Sequence, residues 1–296
     1  MTRPRIVAIG EVLWDLLPSG AVLGGAPANF AFHARALGAE VSLISRVGND
    51  DLGRAIRQRC EAAGVANETM QIDPAAPTGT VSVELSADGQ PHYTIHEHVA
   101  WDALAADDAA LAAVTKADAV CFGSLAQRSA VSRESIGVLL EATTPVALRI
   151  FDINLRQSFY SRAVLEESLR LANVLKLNDA ELPVLAEMFG LKGDDRAQLA
   201  TLAEHWELRA VALTRGARGA LLLAPEGFSE HPGKAPPSVR DTIGAGDAFT
   251  AVLALGLLAH WPLDVINDRA NTVAAYVCSQ SGATPKLPPS FSSFLK

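Results

Sequence analysis

From residue 6 to residue 10 the chain is apolar without interruption and closes on a glycine, which predicts a buried first strand. Gly24 and Gly25 then give a tight turn, Pro27 suits a first helical turn, and Phe30, Ala34 and Leu37 recur at helical spacing. Residues 41–47 read as another buried strand, and 52–63 as a helix with Asp50 as its cap. The period next changes to two: apolar and polar positions alternate on both sides of Asp88-Gly89, which predicts a hairpin. From Ala117 onward, strands at 119–122, 146–151, 174–176 and 210–213 alternate with helices at 131–142, 160–171, 180–189 and 197–205, and an apolar helix follows at 248–258. Such alternation predicts an α/β fold, a mainly parallel sheet with helices on both faces, and the hairpin predicts a small sheet apart from it.

Composition narrows the function classes. At 296 residues and 49% hydrophobic the chain can bury a large core. Its net charge of −8 argues against a general nucleic-acid or anionic-membrane surface, so any phosphate site must be built locally from amides and a few cations. Cys60, Cys121 and Cys278 are scattered and lack metal-ligand spacing, which reads as reduced core cysteines of a cytoplasmic protein. The opening MTRPRIVAIGEVLWD has too short an apolar run for a signal peptide, and the helix from 248 is too short to span a bilayer. A Gly-x-x-x-x-Gly-Lys-Ser/Thr run is absent, and the first strand is not followed by Gly-x-Gly-x-x-Gly, which removes P-loop enzymes and dinucleotide-binding dehydrogenases.

The chemistry concentrates in RDTIGAGDAFT, residues 240–250. Gly244, Ala245 and Gly246 place free amides at the mouth of an apolar helix, a ready anion site, and Asp247 sits in its first turn. A carboxylate beside an anion site has a purpose if it takes a proton from a hydroxyl that attacks the anion, and these are the parts of phosphoryl transfer to an alcohol. Elsewhere, carboxylates Glu11 and Asp15 follow the first strand, where α/β sheets bind ligands. Glu11 reads as a solvated loop residue and His33 as a packing residue.

The order Asp-Thr-x-Gly-Ala-Gly-Asp, together with Gly-Gly-x-x-x-Asn at 24–29 and Asn-x-x-Glu at 178–181, resembles the PfkB, or ribokinase-like, carbohydrate kinases over nearly the whole chain. The resemblance implies a single kinase domain over 1–296, a three-layer α/β/α body with a small β-sheet lid formed by about 12–23 and 78–101. It implies that Asp247 is the catalytic base, that the amides of Gly244, Ala245 and Gly246 hold the transferring phosphate, and that Asp15, Gly25 and Asn29 hold the sugar. FDINLR is similar to the FDPNLR of bacterial fructokinases, and it adds Asp152 and Asn154 on the substrate side and Arg156 as a clamp on the phosphoryl oxygens. Trp101, at the exit of the hairpin, is expected to pack on the sugar. Asn178, Thr214, Gly216, Gly219 and Asn271 are expected along ATP, with Glu181 ordering Mg²⁺ through water. The resemblance also implies that Asp241 and carbonyls near Gly282 hold a monovalent cation such as K⁺, although Lys286 stands where ribokinases often have a small hydroxyl ligand and its ammonium is a candidate replacement.

The expectation is therefore a cytoplasmic, ATP- and Mg²⁺-dependent kinase acting on a primary hydroxyl of a sugar, with D-fructose first on the strength of FDINLR and EVLWDLLP. Its small-molecule partners are ATP and the sugar, with neither nucleic acid nor membrane among them, and the lid is a candidate homodimer contact. Ribose, 2-keto-3-deoxygluconate or a nucleoside is the alternative acceptor. A non-catalytic sugar sensor is the alternative from another class, and retention of Asp247 with the whole Gly-Ala-Gly cradle argues against it.

Overall fold

A computed structural model describes residues 3–17, 20–85 and 91–292. Strands β1 (Arg5–Ile9), β4 (Glu40–Gly48), β5 (Met70–Asp73), β8 (Ala119–Phe122), β9 (Leu148–Asp152), β10 (Val174–Asn178), β11 (Ala210–Thr214), β12 (Ala220–Ala224) and β13 (Gly227–His231) form a nine-stranded sheet. Its order is β13-β12-β11-β10-β9-β8-β1-β4-β5. All neighbours are parallel except β11–β12 and β12–β13, where tight turns reverse the chain. From β1 the chain winds outward to β4 and β5, then returns to β8 on the other side of β1. The boundary between β1 and β8 is therefore the switch point where α/β sheets open a crevice at the carboxyl ends of their strands.

Two apolar clusters, one on each face of the sheet, make the layers the alternating pattern predicts. One face carries α1 (Ala26–Ala36), α2 (Asp51–Ala63), α8 (Ala245–Leu258) and α9 (Leu263–Cys278). The other carries α3 (Asp108–Val114), α4 (Ala130–Glu141), α5 (Arg162–Leu171), α6 (Glu181–Phe189) and α7 (Asp195–His205). A short α10 (Pro289–Ser292) ends the described chain. Ala28, Ala31 and Ala34 on α1 and Ala248, Ala251 and Ala254 on α8 are fully buried. Such small side chains let the two helices approach closely, and this contact positions the functional groups described below. As expected, Asp50 caps α2, accepting from the Gly53 amide at 2.7 Å. It also accepts from the Thr78 amide and hydroxyl at 2.8 and 2.6 Å, which ties the helix start to the chain entering the second sheet.

That second sheet has four strands, β2 (Leu13–Leu17), β3 (Gly20–Gly24), β6 (Thr80–Leu85) and β7 (Pro91–Ile95), in the order β3-β2-β6-β7. It is the expected small sheet, and β6 and β7 are the antiparallel arms of the hairpin; Asp88-Gly89 lies outside the described residues. Trp14 roots β2 in the core, its indole N–H donating to the Leu52 carbonyl at 3.1 Å. Cys60 and Cys121 are buried and Cys278 half-buried, all three as free thiols. Among the described residues no helix is long and apolar enough to cross a membrane.

Candidate active site

The apolar run of α8 begins three residues earlier than its periodicity suggests, because Gly244 caps it in a left-handed conformation, φ 79°. A Cβ there would lie 2.1 Å from the Ala283 carbonyl oxygen, so glycine alone fits. The amides of the first turn have no carbonyl of their own helix to meet. Ala245 N–H reaches Thr242 O only at 3.4 Å. These amides and the positive end of the helix dipole form a cradle at the mouth of α8. Behind them, His33 is fully buried and its imidazole Nε2 lies 2.9 Å from the same Ala283 carbonyl, which fixes the loop against Gly244.

Asp247 follows in the first turn and is held from α1: Asn29 Nδ2 donates to its Oδ2 at 2.8 Å. Burial pushes the Asp247 carboxyl up to about 6, and the charge of Asp152 adds to this, against Lys176, Asn29 and Arg156, which lower it. Such a carboxylate is a stronger base than an exposed one and still mostly ionised at neutral pH, the condition a general base needs. Asn29 Oδ1 is buried and without a partner, an acceptor waiting for a donor.

Below Asp247 lies a buried group that sequence reasoning missed. Lys176 on β10 and Asp152 on β9 are register partners, and Lys176 Nζ meets Asp152 Oδ1 at 3.0 Å. Thr250, one turn along α8 from Asp247, donates its hydroxyl to the other oxygen, Oδ2, at 2.8 Å. Burial lowers the Lys176 ammonium, but the carboxylates of Asp152, Glu181 and Asp247 together hold it above the ordinary lysine range. A Cβ on Gly246 would come 3.1 Å from Lys176 Nζ, which places the ammonium directly behind the anion cradle. Asp152 thus supports the centre of the site, one oxygen on the Lys176 ammonium and the other on the Thr250 hydroxyl. The available signal was a lysine inside the apolar run of residues 174–177.

The sugar-side expectations divide. Asp15 stands on β2 of the small sheet, half-buried, and a Cβ on Gly24 would come 2.5 Å from its Oδ2. Burial raises the Asp15 carboxyl while Arg156 lowers it. Gly25, φ 102°, packs on the backbone of residue 11, where a Cβ would come 2.5 Å from the Glu11 carbonyl. Glu11 is not the solvated residue expected: it is 2% exposed, and burial pushes its carboxyl up to about 7. Asn154 adopts φ 47° in the loop after β9, and Arg156 in the same loop is exposed. The charge of Arg156 lowers the carboxyls of Glu11, Asp15 and Asp247, against the burial that raises each of them.

Trp101 is a second correction. It is fully buried, with the Arg128 guanidinium 3.9 Å over its ring, so neither face is open to a sugar. Arg128 also pairs with Asp102 at 2.8 Å and donates to the His96 carbonyl at 2.6 Å. Trp101 therefore belongs to the root of the small sheet. The sheet is also joined to the Asn154–Arg156 loop, since Gln157 Nε2 donates to the Tyr93 carbonyl at 2.8 Å.

At the end of β10, Asn178 Oδ1 accepts from the amides of Ala180 and Glu181, at 2.9 and 3.0 Å. Glu181 is buried, Oε1 on the Leu155 amide and Oε2 on the Asn178 amide. Thr214, the register partner of Asn178, ends β11, and Gly216 and Gly219 form the turn into β12. Asn271 lies buried on α9 with its Nδ2 donating to Asn267 O and Oδ1, both at 2.9 Å, so its amide nitrogen is engaged inside the helix. Asp241 accepts from the amides of Ile243 and Gly282, at 3.0 and 3.2 Å. Lys286 is exposed, and among the described residues no ion pair joins it to Asp241. Nor is any group of three or more His, Cys, Asp or Glu placed to hold a metal ion among them.

The profile of the pfkB family carbohydrate kinases matches residues 20–289. The chain belongs to that family. It is 30% identical to the fructokinase of Salmonella typhimurium over 95% of this chain and 94% of that one. A sugar kinase of Pyrococcus horikoshii, solved in complex with ATP, superposes with a TM-score of 0.81 at 31% identity, covering 94% of each chain. The fructokinase of Vibrio cholerae O395, solved with fructose, ADP and calcium, gives 0.81 at 27% identity, covering 99% of each. This pfkB carbohydrate kinase is thus a sugar kinase that uses ATP, with the ribokinase-like three-layer body and small sheet that the resemblance implied.

The buried His33 gives the site a pH-dependent support. Burial lowers its imidazole to about 4, against the Ala283 carbonyl, which raises it. The unfolded chain binds that proton at its ordinary value, so stability is present above about 6.5 and is lost as the pH falls toward 4. Relative to a His33→Gln variant, the wild type should lose about 3 kcal/mol between pH 7 and 4 in urea unfolding. An unchanged difference across that range would show that His33 titrates normally.

Proposed function

We propose that this kinase transfers the γ-phosphoryl group of ATP to a primary hydroxyl of D-fructose, as one domain spanning 1–296. The observation that carries the chemistry is Asp247 at the mouth of α8, held by Asn29 beside the Gly244–Gly246 amides, with its carboxyl near 6. The sugar lies between Asp15, Gly25, Asn29 and Asn154, with its reactive hydroxyl on Asp247. Asp247 takes that proton while the three amides and Arg156 take charge on the phosphoryl oxygens. The nucleotide runs past Asn178, Thr214, Gly216 and Gly219 toward Asn271. Both oxygens of Glu181 already meet backbone amides, which fits a Mg²⁺ held mainly by phosphates and water, with Glu181 and Asn178 ordering that water. When bound, Mg²⁺ would neutralise charge on the phosphates. Asp241 is the group on which a monovalent cation would rest.

Fructose is favoured over ribose, 2-keto-3-deoxygluconate and nucleosides by FDINLR and by the fructokinases among the relatives. A coupled assay of ATP with D-fructose, D-ribose, 2-keto-3-deoxygluconate and adenosine should give the highest kcat/KM for D-fructose. A higher value for another acceptor would replace the substrate and leave the chemistry. Asp15→Ala should raise KM for the sugar by about 10-fold or more, because a site built to bond hydroxyls discriminates through them, and should leave KM for ATP within about two-fold. Equal changes in both would remove Asp15 from the sugar side.

A further inference from the structure

Glu11 is a group for which the mechanism above has no task. It follows β1 at the switch point, and its side chain lies where β1, the start of α1 and the loop after β9 converge. Its own amide and the amide of Ala26, first residue of α1, lie against the carboxylate and account for one side of it. Oε2 is buried and meets no partner. Asn29 Oδ1, one turn along α1, is in the same condition. Both orphan atoms belong to side chains close to Asp247: Asn29 donates to it by a 2.8 Å hydrogen bond, and the charge of Asp247 bears on Glu11. Two acceptors buried without donors call for a ligand that brings donors. A phosphate brings only acceptors and negative charge, which Glu11 repels. A polyhydroxy compound brings several O–H groups in neighbouring positions.

We propose that Glu11 is a further acceptor-binding residue, whose Oε2 bonds a hydroxyl of the sugar adjacent to the one that Asp247 deprotonates. This rests on the sugar-kinase reading and deepens it. Burial that lifts the carboxyl to about 7 leaves part of the population protonated at neutral pH, so Glu11 can donate to an oxygen of the sugar as well as accept from one. It shares a sugar with Asp15, on the small sheet, and with Asn29, on α1, so three separate elements read the hydroxyl pattern. A role confined to capping α1 predicts something else: loss of stability with no preference between sugar and ATP.

The experiment compares wild type, Glu11→Ala and Glu11→Gln on D-fructose and its single-deoxy analogues, with thermal unfolding of each protein as a check on folding. Gln keeps the side-chain volume and an oxygen for the Ala26 amide, so it answers the question if the Ala variant does not fold. Expected are a KM for D-fructose raised about 10- to 100-fold in Glu11→Ala, a smaller rise in Glu11→Gln, and a KM for ATP within about two-fold. One deoxy analogue should lose its disadvantage in Glu11→Ala, because the hydroxyl and its partner are removed together. Wild-type KM for fructose in a folded variant, or equal losses on every analogue, overturns the assignment of Glu11 alone. If D-ribose proves the better acceptor, the same comparison runs on ribose and its deoxy analogues. If the wild type neither phosphorylates nor binds any sugar, by coupled assay and by calorimetric titration, the sugar-kinase reading falls and Glu11 with it.

Discussion

Replacing Asp247 by Asn should lower kcat by about 10²- to 10⁴-fold and leave both KM values within a few-fold. Asn has the same shape, keeps an oxygen for the Asn29 amide, and can still bond the attacking hydroxyl; it cannot remove the proton. The interaction lost belongs to the transition state, so binding of the ground state is little affected. The wild-type profile should show the same group. With the carboxyl near 6, kcat/KM should fall tenfold per pH unit below about 6, and the residual activity of the variant should lack that limb. Stability runs the other way. Asp247 is raised above its unfolded value, so its favourable contribution is full below about 3.8 and is lost as the pH rises through 6. The Asn variant should therefore be at least as stable as wild type at pH 8, and the difference should vanish near pH 3. Near-normal turnover of the folded variant would leave Asp247 as a helix cap and nothing more.

The legible part of the molecule was the part governed by period and by glycine. Parallel strands covered on both faces are apolar throughout, and the helices between them repeat every three to four residues, so the sheet and its layers follow from pattern. Strands 119–122 and 210–213 were placed within one residue. The edge strands β5 and β13 were not read, since a half-exposed strand such as MQID has too few apolar positions to stand out. The Gly-Ala-Gly-Asp cradle was legible because few sequences place two glycines and a carboxylate at a helix mouth. Direction was not. Nothing in EVLWD says that Glu11 turns inward, and nothing in HVAWD says that Arg128, 27 residues further on, will cover Trp101. FDINLR shows a carboxylate after a strand but not that its neighbour in the sheet is a lysine, because register between β9 and β10 is set by packing across the intervening helix.

That lysine carries the second large effect. Lys176→Met should destabilise the fold by about 3–5 kcal/mol, because it leaves the Asp152 carboxylate buried with only the Thr250 hydroxyl. Methionine fills much of the volume, so the loss is electrostatic rather than a cavity. The second consequence is catalytic. Lys176 is among the groups that hold the Asp247 carboxyl down, while Asp152 pushes it up. Removing the ammonium alone should move the acidic limb of kcat/KM to higher pH, with turnover at pH 8 less affected than at pH 6. Removing both charges in Lys176→Met with Asp152→Asn cancels a lowering influence and a raising one. The limb should return toward its wild-type position, and the stability should largely recover, because a buried pair replaced as a unit costs far less than a pair that is broken. Urea unfolding and pH profiles of the two single variants and the double variant give all of these values. A folded Lys176→Met enzyme with an unmoved limb would mean that the ammonium supports the sheet and has no part in setting the base.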